Sequence, residues 1–278
     1  MEARLCPGGY YQDTTQQSSC NICGLATYCP FDSATPTPST ATIVCPVGHY
    51  CNEAGINAPK PCEPGYYQDE TGKDLCKNCP AGYYCPEEGM DDGNAYLCPA
   101  GYYCALNTAD YGDYMCEPGY YCPAGSATML ECDAGSYCVA YALSAVSGTC
   151  TAGFICSGGA IRPDPSDEAT EGGYICPTGY FCLAGASITL PATVAESPCP
   201  SGTYNEKAGA YDEATFCLDC PEGKLCLTEG LTSPLEECDA GKHCTGGVEE
   251  PCHVGYKCPE DVLPMMLCDA GTYQDTVG

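Results

Sequence analysis

The heptapeptide CPAGYYC occupies residues 98–104, and the identical segment stands at residues 79–85. Looser copies read CEPGYYC from Cys116, CDAGSYC from Cys132 and CPTGYFC from Cys176. In all, eleven C-x5-C segments begin at residues 23, 45, 79, 98, 116, 132, 150, 176, 220, 238 and 252. The chain therefore repeats one short, cysteine-bounded unit, with segments of variable sequence between the copies.

Each copy opens with C-x-x-G, which predicts a tight turn. Gly stands three residues after the Cys in 14 of 15 such openings, and Ala26 is the exception. Gly readily adopts the positive φ that a type II turn requires at its third residue, and Pro64 and Pro118 fit the second position. An aromatic ring follows two residues after the Gly in eleven copies, as at Tyr67 and Tyr103. We expect this ring to cover a disulfide while its hydroxyl stays in water.

Six further Cys residues define three longer units, in which an opening Cys is followed by a C-x-x-C: Cys6 with Cys20, Cys62 with Cys76, and Cys199 with Cys217. The remaining Cys268 opens CDAGTYQDT in the same way, and its partner is expected beyond Gly278. We predict four segments. Residues 1–61 hold a long and a short unit with a Ser/Thr/Pro-rich spacer, and residues 62–198 hold a long unit followed by five short units. Residues 199–267 hold a long unit and two short ones, and residues 268–278 begin a further long unit.

The composition indicates that disulfide cross-links stabilise this chain. Only 36 of 278 residues are Leu, Ile, Val or Phe, the net charge is −28, and there are 29 Cys residues. Such a chain would be disordered without another source of stability. A disulfide that closes a loop of ~15 residues contributes about 3 kcal/mol. The predicted fold class is therefore small disulfide-rich repeats: an elongated rod of short β-hairpins and turns, with little helix and no single core.

The same cysteines indicate the compartment. Disulfides persist in oxidising surroundings, so we expect an extracellular protein, either secreted or on the cell surface. The first residues, MEARLC, contain no apolar signal segment, and no apolar stretch approaches the ~18 residues of a membrane span. With 9 Lys and Arg against 37 Asp and Glu, the chain is not expected to bind nucleic acid.

Catalytic and metal sites are not expected. His occurs only at His49, His243 and His253, which is too little for a nucleophile with its base, so we predict a non-enzyme. The C-x-x-C pairs lack a second close ligand pair of the kind that zinc sites use. Acidic loops such as residues 91–94 (DDGN) do not fit the twelve-residue calcium loop, so we expect no cofactor beyond weak Ca²⁺ binding.

One spacer has the composition of O-glycosylated stalks. Residues 32–45, DSATPTPSTATIVC, place hydroxyl side chains between Pro residues that favour an extended chain. An undecorated loop remains the alternative. The O-glycosylation candidates are Thr35, Thr37, Ser39, Thr40 and Thr42, with Thr189 and Thr193 near Pro191 as further ones.

The C-P-x-G-x-Y openings and the run CKNCPAGYYC at residues 76–85 carry a family resemblance. The chain resembles the ephrin-receptor-like cysteine-rich repeat and, more loosely, the modules of tumour-necrosis-factor receptors and the cysteine-rich regions of growth-factor receptors. Such repeats occur in receptor ectodomains, adhesion proteins and large surface or fibre proteins of single-celled eukaryotes.

The resemblance also implies disulfide pairings. The first loop of tumour-necrosis-factor-receptor modules implies Cys6–Cys20, Cys62–Cys76 and Cys199–Cys217. The heptapeptides would then pair between successive copies, as Cys79–Cys98 with Cys85–Cys104. Closure of each C-x5-C segment on itself remains an alternative.

Two functions fit these observations. The first is a structural component of an extracellular filament, hair or surface coat, whose partners are copies of itself or neighbouring filament chains and whose surface carries covalent O-glycans. The second is a ligand-binding or adhesion ectodomain of a cell-surface receptor. A receptor site should bring a patch of large apolar or Arg residues, and the chain has only Arg4 and Arg162. We therefore favour the structural function.

Overall fold

The structure is a computed structural model that describes residues 4–31, 42–189, 193–194, 196–235, 237–239, 241–258 and 265–275. Its regular elements are short strands joined as antiparallel hairpins. In chain order these are β1 (Tyr10–Tyr11), β2 (Asn21–Ile22), β3 (Thr27–Tyr28), β4 (Ile43–Val44), β5 (His49–Tyr50), β6 (Lys60–Pro61), β7 (Tyr66–Tyr67), β8 (Lys77–Asn78), β9 (Tyr120–Tyr121), β10 (Leu130–Glu131), β11 (Ser136–Tyr137), β12 (Gly148–Thr149), β13 (Phe154–Cys156), β14 (Gly173–Ile175), β15 (Tyr180–Cys182), β16 (Ile188–Thr189), β17 (Thr193–Val194), β18 (Glu196–Pro198), β19 (Thr203–Tyr204), β20 (Leu218–Asp219), β21 (Lys242–Thr245), β22 (Val248–Pro251), β23 (Tyr256–Lys257) and β24 (Met266–Leu267).

The strands form two-stranded sheets between neighbours in sequence. β1 pairs with β2, β3 with β4, and so on, except that β15 pairs with β18 around the inner hairpin of β16 and β17. Where a short strand is absent, a single bridge takes its place, as between Tyr83 and Leu97 and between Tyr102 and Met115. In each hairpin other than that of β16 and β17, the two residues after the Gly (Ala26 in one copy) of one copy pair with the residues just before the Cys of the next copy. The variable segments are therefore the loops of these hairpins.

Helix is confined, in the described part of the chain, to two single turns, α1 (Glu168–Glu171) and α2 (Glu213–Phe216). Each begins after an Asp whose carboxylate accepts from the backbone of the helix: Asp167 accepts from two N–H groups of α1, and Asp212 accepts from one N–H group of α2. Among the described residues no helix has the length and apolar character that a membrane crossing requires. The prediction of short hairpins with little helix is confirmed.

The turn predicted for C-x-x-G is present. Gly82 has φ of 86°, and the N–H of Tyr83 donates to the carbonyl of Pro80 at 3.2 Å, as a type II turn requires. Pro64 lies at the second position of the corresponding turn, between Glu63, which accepts, and Tyr66, which donates. Ala26, the exception in sequence, adopts φ of 63° without being Gly.

The turn determines the disulfides. It brings the two Cys of each heptapeptide to Cα separations of 5.8 to 6.2 Å, within the range of a disulfide. All eleven heptapeptides therefore close on themselves, for example as Cys79–Cys85 and Cys98–Cys104. The expected pairing between successive copies, Cys79–Cys98 with Cys85–Cys104, is wrong in this structure.

The long units have the pairing that the resemblance implied. Cys6 is bonded to Cys20, Cys62 to Cys76 and Cys199 to Cys217, with Cα separations of 5.8, 5.9 and 5.4 Å. Cys268 is the free cysteine of the described chain.

Contacts divide the chain into two units. The first comprises Met1–Glu117, Tyr121–Leu130 and Tyr141–Ala145, and contains a small cluster in which Cys79, Cys85 and Met90 are buried. The second comprises Pro118–Tyr120, Glu131–Ala140 and Val146–Gly278. It contains two such clusters, one around Cys150–Cys156 and one around Cys176–Cys182.

Most of the buried apolar residues in the described chain are disulfide-bonded cysteines. This confirms that the described residues form no single core. The elongated shape and the four-segment division remain predictions.

Candidate functional site: the junction between copies

The feature that recurs most regularly is the junction between one copy and the next. We define a copy as the seven residues that start at the Cys of each C-x-x-G (C-x-x-A at Cys23), numbered as positions 1 to 7. In the junction after the copy at residues 79–85, the N–H of Gly82 donates to the carbonyl of Cys104 at 2.8 Å. In return the N–H of Cys98 donates to the carbonyl of Gly82 at 2.9 Å. Position 4 of one copy thus bonds positions 7 and 1 of the next.

The same pair of hydrogen bonds joins all 14 pairs of consecutive copies. Six of these junctions lie in the first unit and eight in the second, and each joins residues of the same unit. The pair is formed after Ala26 as well as after Gly, and in long and short units alike. The junction is therefore a property of the backbone that tolerates changes of side chain.

Position 4 has a second, steric role. The segment that follows the copy at residues 116–122 runs back over the two preceding copies: the N–H of Gly125 donates to the carbonyl of Cys98, and the carbonyl of Gly125 lies against Gly82. A Cβ on Gly82 would lie 2.6 Å from that oxygen, and a Cβ on Gly119 would lie 2.6 Å from the oxygen of Gly159. Both distances are shorter than any normal contact. Gly is thus required here for space as well as for its positive φ.

The residue at position 6 packs against the disulfide of the following copy. Tyr67 contacts the cluster formed by Cys79 and Cys85, and Tyr137 contacts the cluster formed by Cys150 and Cys156. These rings are half-buried. The expected ring over a disulfide is therefore present at these two junctions, with the disulfide of the next copy as its partner.

The long units contain a feature that the sequence reasoning missed. Their position 7 is an amide side chain instead of Cys, and in two of them it is almost fully buried: Gln68 is 1% exposed and Asn205 is 1% exposed. The Gln68 amide donates to the carbonyl of Leu75 at 2.7 Å and accepts from the N–H of Glu70 at 3.1 Å. The amide therefore organises the longer loop. The signal was visible, because Gln or Asn stands at this position in every long unit, at Gln12, Gln68, Asn205 and Gln274.

Ion pairs form at the edges of these hairpins. In one long unit Lys77 lies 2.6 Å from Asp69 and 2.7 Å from Glu70, and Lys73 lies 2.7 Å from Glu70. Hydrogen bonds donated by Lys73 and Lys77 lower the pKa of Glu70 from 4.5 to about 2, and the hydrogen bonds that Lys77 donates to Asp69 and Glu70 raise the pKa of Lys77. All of these groups are exposed to solvent, so each pair adds little to stability.

The predicted glycosylation sites are only partly described. Thr35, Thr37, Ser39 and Thr40 lie outside the described residues. Thr42 is exposed just before β4, and Thr189 lies opposite Thr193 in the hairpin of β16 and β17, whose side chains are not among those described. O-glycosylation remains a prediction for all seven residues.

The structure places the three His residues in two settings. His49 lies in β5, with its Nδ1 3.0 Å from the carbonyl of Val47. His243 and His253 lie together beside Glu250, a juxtaposition that was not foreseen because the two His belong to different copies. In the acidic loops, Asp92 accepts from the N–H of Asn94 at 2.8 Å, and weak Ca²⁺ binding there remains a prediction.

Comparison with known proteins yields limited similarity. No family model matches the chain. The chain is 30% identical over 95 residues to mouse thyroglobulin, a match that covers 32% of this chain and 3% of thyroglobulin. It thus spans only a small part of that relative. The similarity supports a cysteine-rich repeat chain of the extracellular type and does not single out the ephrin-receptor-like or tumour-necrosis-factor-receptor repeat.

Proposed function

We propose that the chain is a structural component of an extracellular filament, hair or surface coat. The observation that carries this proposal is the junction, because the same two backbone hydrogen bonds recur at all 14 pairs of consecutive copies. Each copy is completed by the copy that follows it, as in repeat proteins whose stability is a sum of neighbour contacts. Such an arrangement can be extended by any number of further copies, and it places nearly equivalent surfaces at regular intervals along the chain.

The covalent and electrostatic properties support the same function. Fourteen disulfides are suited to an oxidising, extracellular location and to mechanical and proteolytic resistance. The net charge of −28 keeps the chain soluble and keeps neighbouring molecules apart at low salt. In this proposal the partners are copies of the chain itself or neighbouring filament chains, the loops carry O-glycans, and the protein is not an enzyme.

A second candidate function, a ligand-binding or adhesion ectodomain, has one observation in its favour. Four tyrosines of the first unit form a continuous aromatic cluster that does not recur in the other copies described. Tyr84 contacts Tyr96 and Tyr111, with ring centroids 5.5 and 4.9 Å apart, and Tyr111 also contacts Tyr102 at 5.1 Å. Clustered aromatic rings are typical of binding hot spots. If the chain is a receptor ectodomain, this cluster is its best candidate surface.

Solution scattering and electron microscopy of the oxidised chain test the structural proposal. We expect a radius of gyration well above the ~19 Å of a compact domain of this length. We also expect end-to-end or side-by-side assembly that persists when Tyr111 is changed to Ala, since it would use the repeated surfaces along the chain and not the aromatic cluster. A compact monomer that keeps its shape after full reduction would overturn the proposal. A monomer that binds a ligand only with Tyr111 intact would favour the receptor function.

A further inference from the structure

Three metal-ligating side chains meet at the hairpin of β21 and β22. The hairpin turns at Gly246 and Gly247, whose φ values of 61° and 80° fit a two-residue type I′ turn. This turn sets the register in which His243 lies directly opposite Glu250. His253 follows shortly after β22, as position 2 of the next copy. The cluster therefore spans the junction between the copies that start at Cys238 and Cys252.

The distances suit a single small ion. His243 Nε2 lies 3.4 Å from a carboxylate oxygen of Glu250. Two atoms bound to one Zn²⁺ at about 2.0–2.1 Å with tetrahedral angles are themselves about 3.4 Å apart. The rings of His243 and His253 are 5.2 Å apart, and one potential ligand atom from each of the three residues lies within 4.8 Å of the others. A small rotation of the exposed His253 side chain completes the set.

Burial makes His243 the anchor of this cluster. Its side chain is 12% exposed and its Nδ1 is buried, so Nε2, which faces Glu250, is the nitrogen available to an ion. Glu250 and His253 are exposed, and Glu250 retains 59% of its side-chain exposure. One ligand is thus positioned by packing, while the other two remain accessible to an ion from solvent.

We propose that His243, Glu250 and His253 bind one divalent transition-metal ion, Zn²⁺ in particular. Two imidazoles and one carboxylate are ligands typical of Zn²⁺, whereas Ca²⁺ and Mg²⁺ prefer sets of oxygen ligands. Three protein ligands leave a fourth position for water. The ion joins a strand of one copy to the start of the next and adds a bond to a junction already formed by Gly241 and Cys258. This inference is independent of the proposed structural function, and it differs from the sequence-based expectation of no metal site.

Titration of the intact, oxidised chain tests the proposal. Zn²⁺ is added in calorimetry with Ca²⁺ and Mg²⁺ in large excess, so that the acidic surface is already occupied. We expect one Zn²⁺ per chain, with affinity reduced at least about tenfold in His253→Ala and in Glu250→Gln. Both residues are exposed, so neither change should disturb folding. His49→Ala is the matched control, because it removes a histidine outside the cluster, and its affinity should equal that of the wild type.

Co²⁺ provides a second readout of the same site. Co²⁺ bound by the cluster should show ligand-dependent visible absorption that changes in His253→Ala and remains in His49→Ala. The proposal is overturned if His253→Ala and Glu250→Gln bind Zn²⁺ like the wild type. It is equally overturned if the excess of Ca²⁺ and Mg²⁺ abolishes Zn²⁺ binding to the wild-type chain.

Discussion

Two neighbouring copies, at residues 62–68 and 79–85, differ in the residue at position 7 and in the partner of their first Cys. In the second copy, Cys79 bonds Cys85 and both are fully buried. In the first, which opens a long unit, position 7 is Gln68, and Cys62 bonds Cys76 beyond a longer loop. The buried amide of Gln68 satisfies backbone groups of that loop, at the position where the second copy has the sulfur of Cys85.

The two copies form the same junction hydrogen bonds. The carbonyl of Gln68 accepts from the N–H of Gly48 at 2.7 Å, as the carbonyl of Cys85 accepts from the N–H of Gly65 at 2.8 Å. The turn and the backbone junction therefore define the repeat, and the choice of disulfide partner is a secondary variable that sets loop length. A long unit inserts a loop without interrupting the series of junctions.

Complete reduction has the largest expected effect, because it removes the bridges of both kinds of unit. Each bridge contributes about 2–3 kcal/mol by restricting the unfolded chain, and the described chain has no apolar core to replace it. We expect full reduction to abolish slow amide hydrogen exchange throughout the chain. Alkylation without reduction is the control and should leave protection intact. Retained protection in the reduced chain would show that the junctions alone hold the fold.

Gly82→Ala probes the junction itself. The new Cβ would meet the carbonyl oxygen of Gly125 at 2.6 Å, so the change adds a backbone clash to the cost of positive φ. We expect a loss of local stability of about 3 kcal/mol. Gly255→Ala is the matched control, because Gly255 has nearly the same φ of 84° but no atom of the described residues lies within 4 Å of its Cβ position. It should cost about 1 kcal/mol.

Hydrogen exchange at the Gly82 and Cys98 amides measures the first effect and exchange at the Gly255 and Cys268 amides the second. Equal losses in the two variants would contradict the steric role of position 4.

Gln68→Leu tests the feature that distinguishes the long unit. Leu would leave the carbonyl of Leu75 and the N–H of Glu70 without their part-buried hydrogen-bond partner, at a cost of about 2 kcal/mol. Gln12→Leu removes the equivalent bond to Ser19 at a more exposed position, where water can replace it, and should cost less. Protease sensitivity of the two loops distinguishes the variants. Equal sensitivity would mean that the buried amide has no special role.

Whether the sequence predicts a structural feature depends on whether that feature is formed by residues close together in the chain. The C-x-x-G turn and the hairpins were predicted because each follows from residues close together in the chain, and the pairing Cys62–Cys76 was predicted because the family resemblance implied it. The heptapeptide pairing was misjudged because the resemblance outweighed local geometry. The turn already brings Cys79 to 6.0 Å from Cys85, measured between Cα atoms.

Contacts between successive copies could not be predicted from the sequence alone. The oxygen of Gly125 over Gly82 and the meeting of His243 with His253 depend on how one copy lies on the next. Periodicity shows that copies pack together without showing which atoms meet. The role of Gln68 was available from the sequence, since every long unit carries an amide at that position.

The ion pairs of the long unit give the smallest expected effect. Lys73 and Lys77 hold the pKa of Glu70 at about 2, so changing both to Gln should raise it towards 4.5, as followed by NMR titration. The stabilisation from Glu70 is present above about pH 4.5 and is lost as the pH falls towards 2. It is small because the pair is exposed. Lys60 lowers the pKa of Glu53, which serves as an internal control and should not change. An unchanged Glu70 pKa in the double variant would contradict this assignment.

Peptide mapping of the unreduced chain tests the central claim, that short units close on themselves, most directly. Cleavage before Asp releases residues 92–109, which contain Cys98 and Cys104 and no other Cys. The structure predicts this peptide free of any partner and lighter than its reduced form by two hydrogen atoms, with residues 32–68 linked to residues 74–90 through Cys62–Cys76. Recovery of residues 92–109 linked to residues 74–90 would instead establish pairing between successive copies and contradict the account.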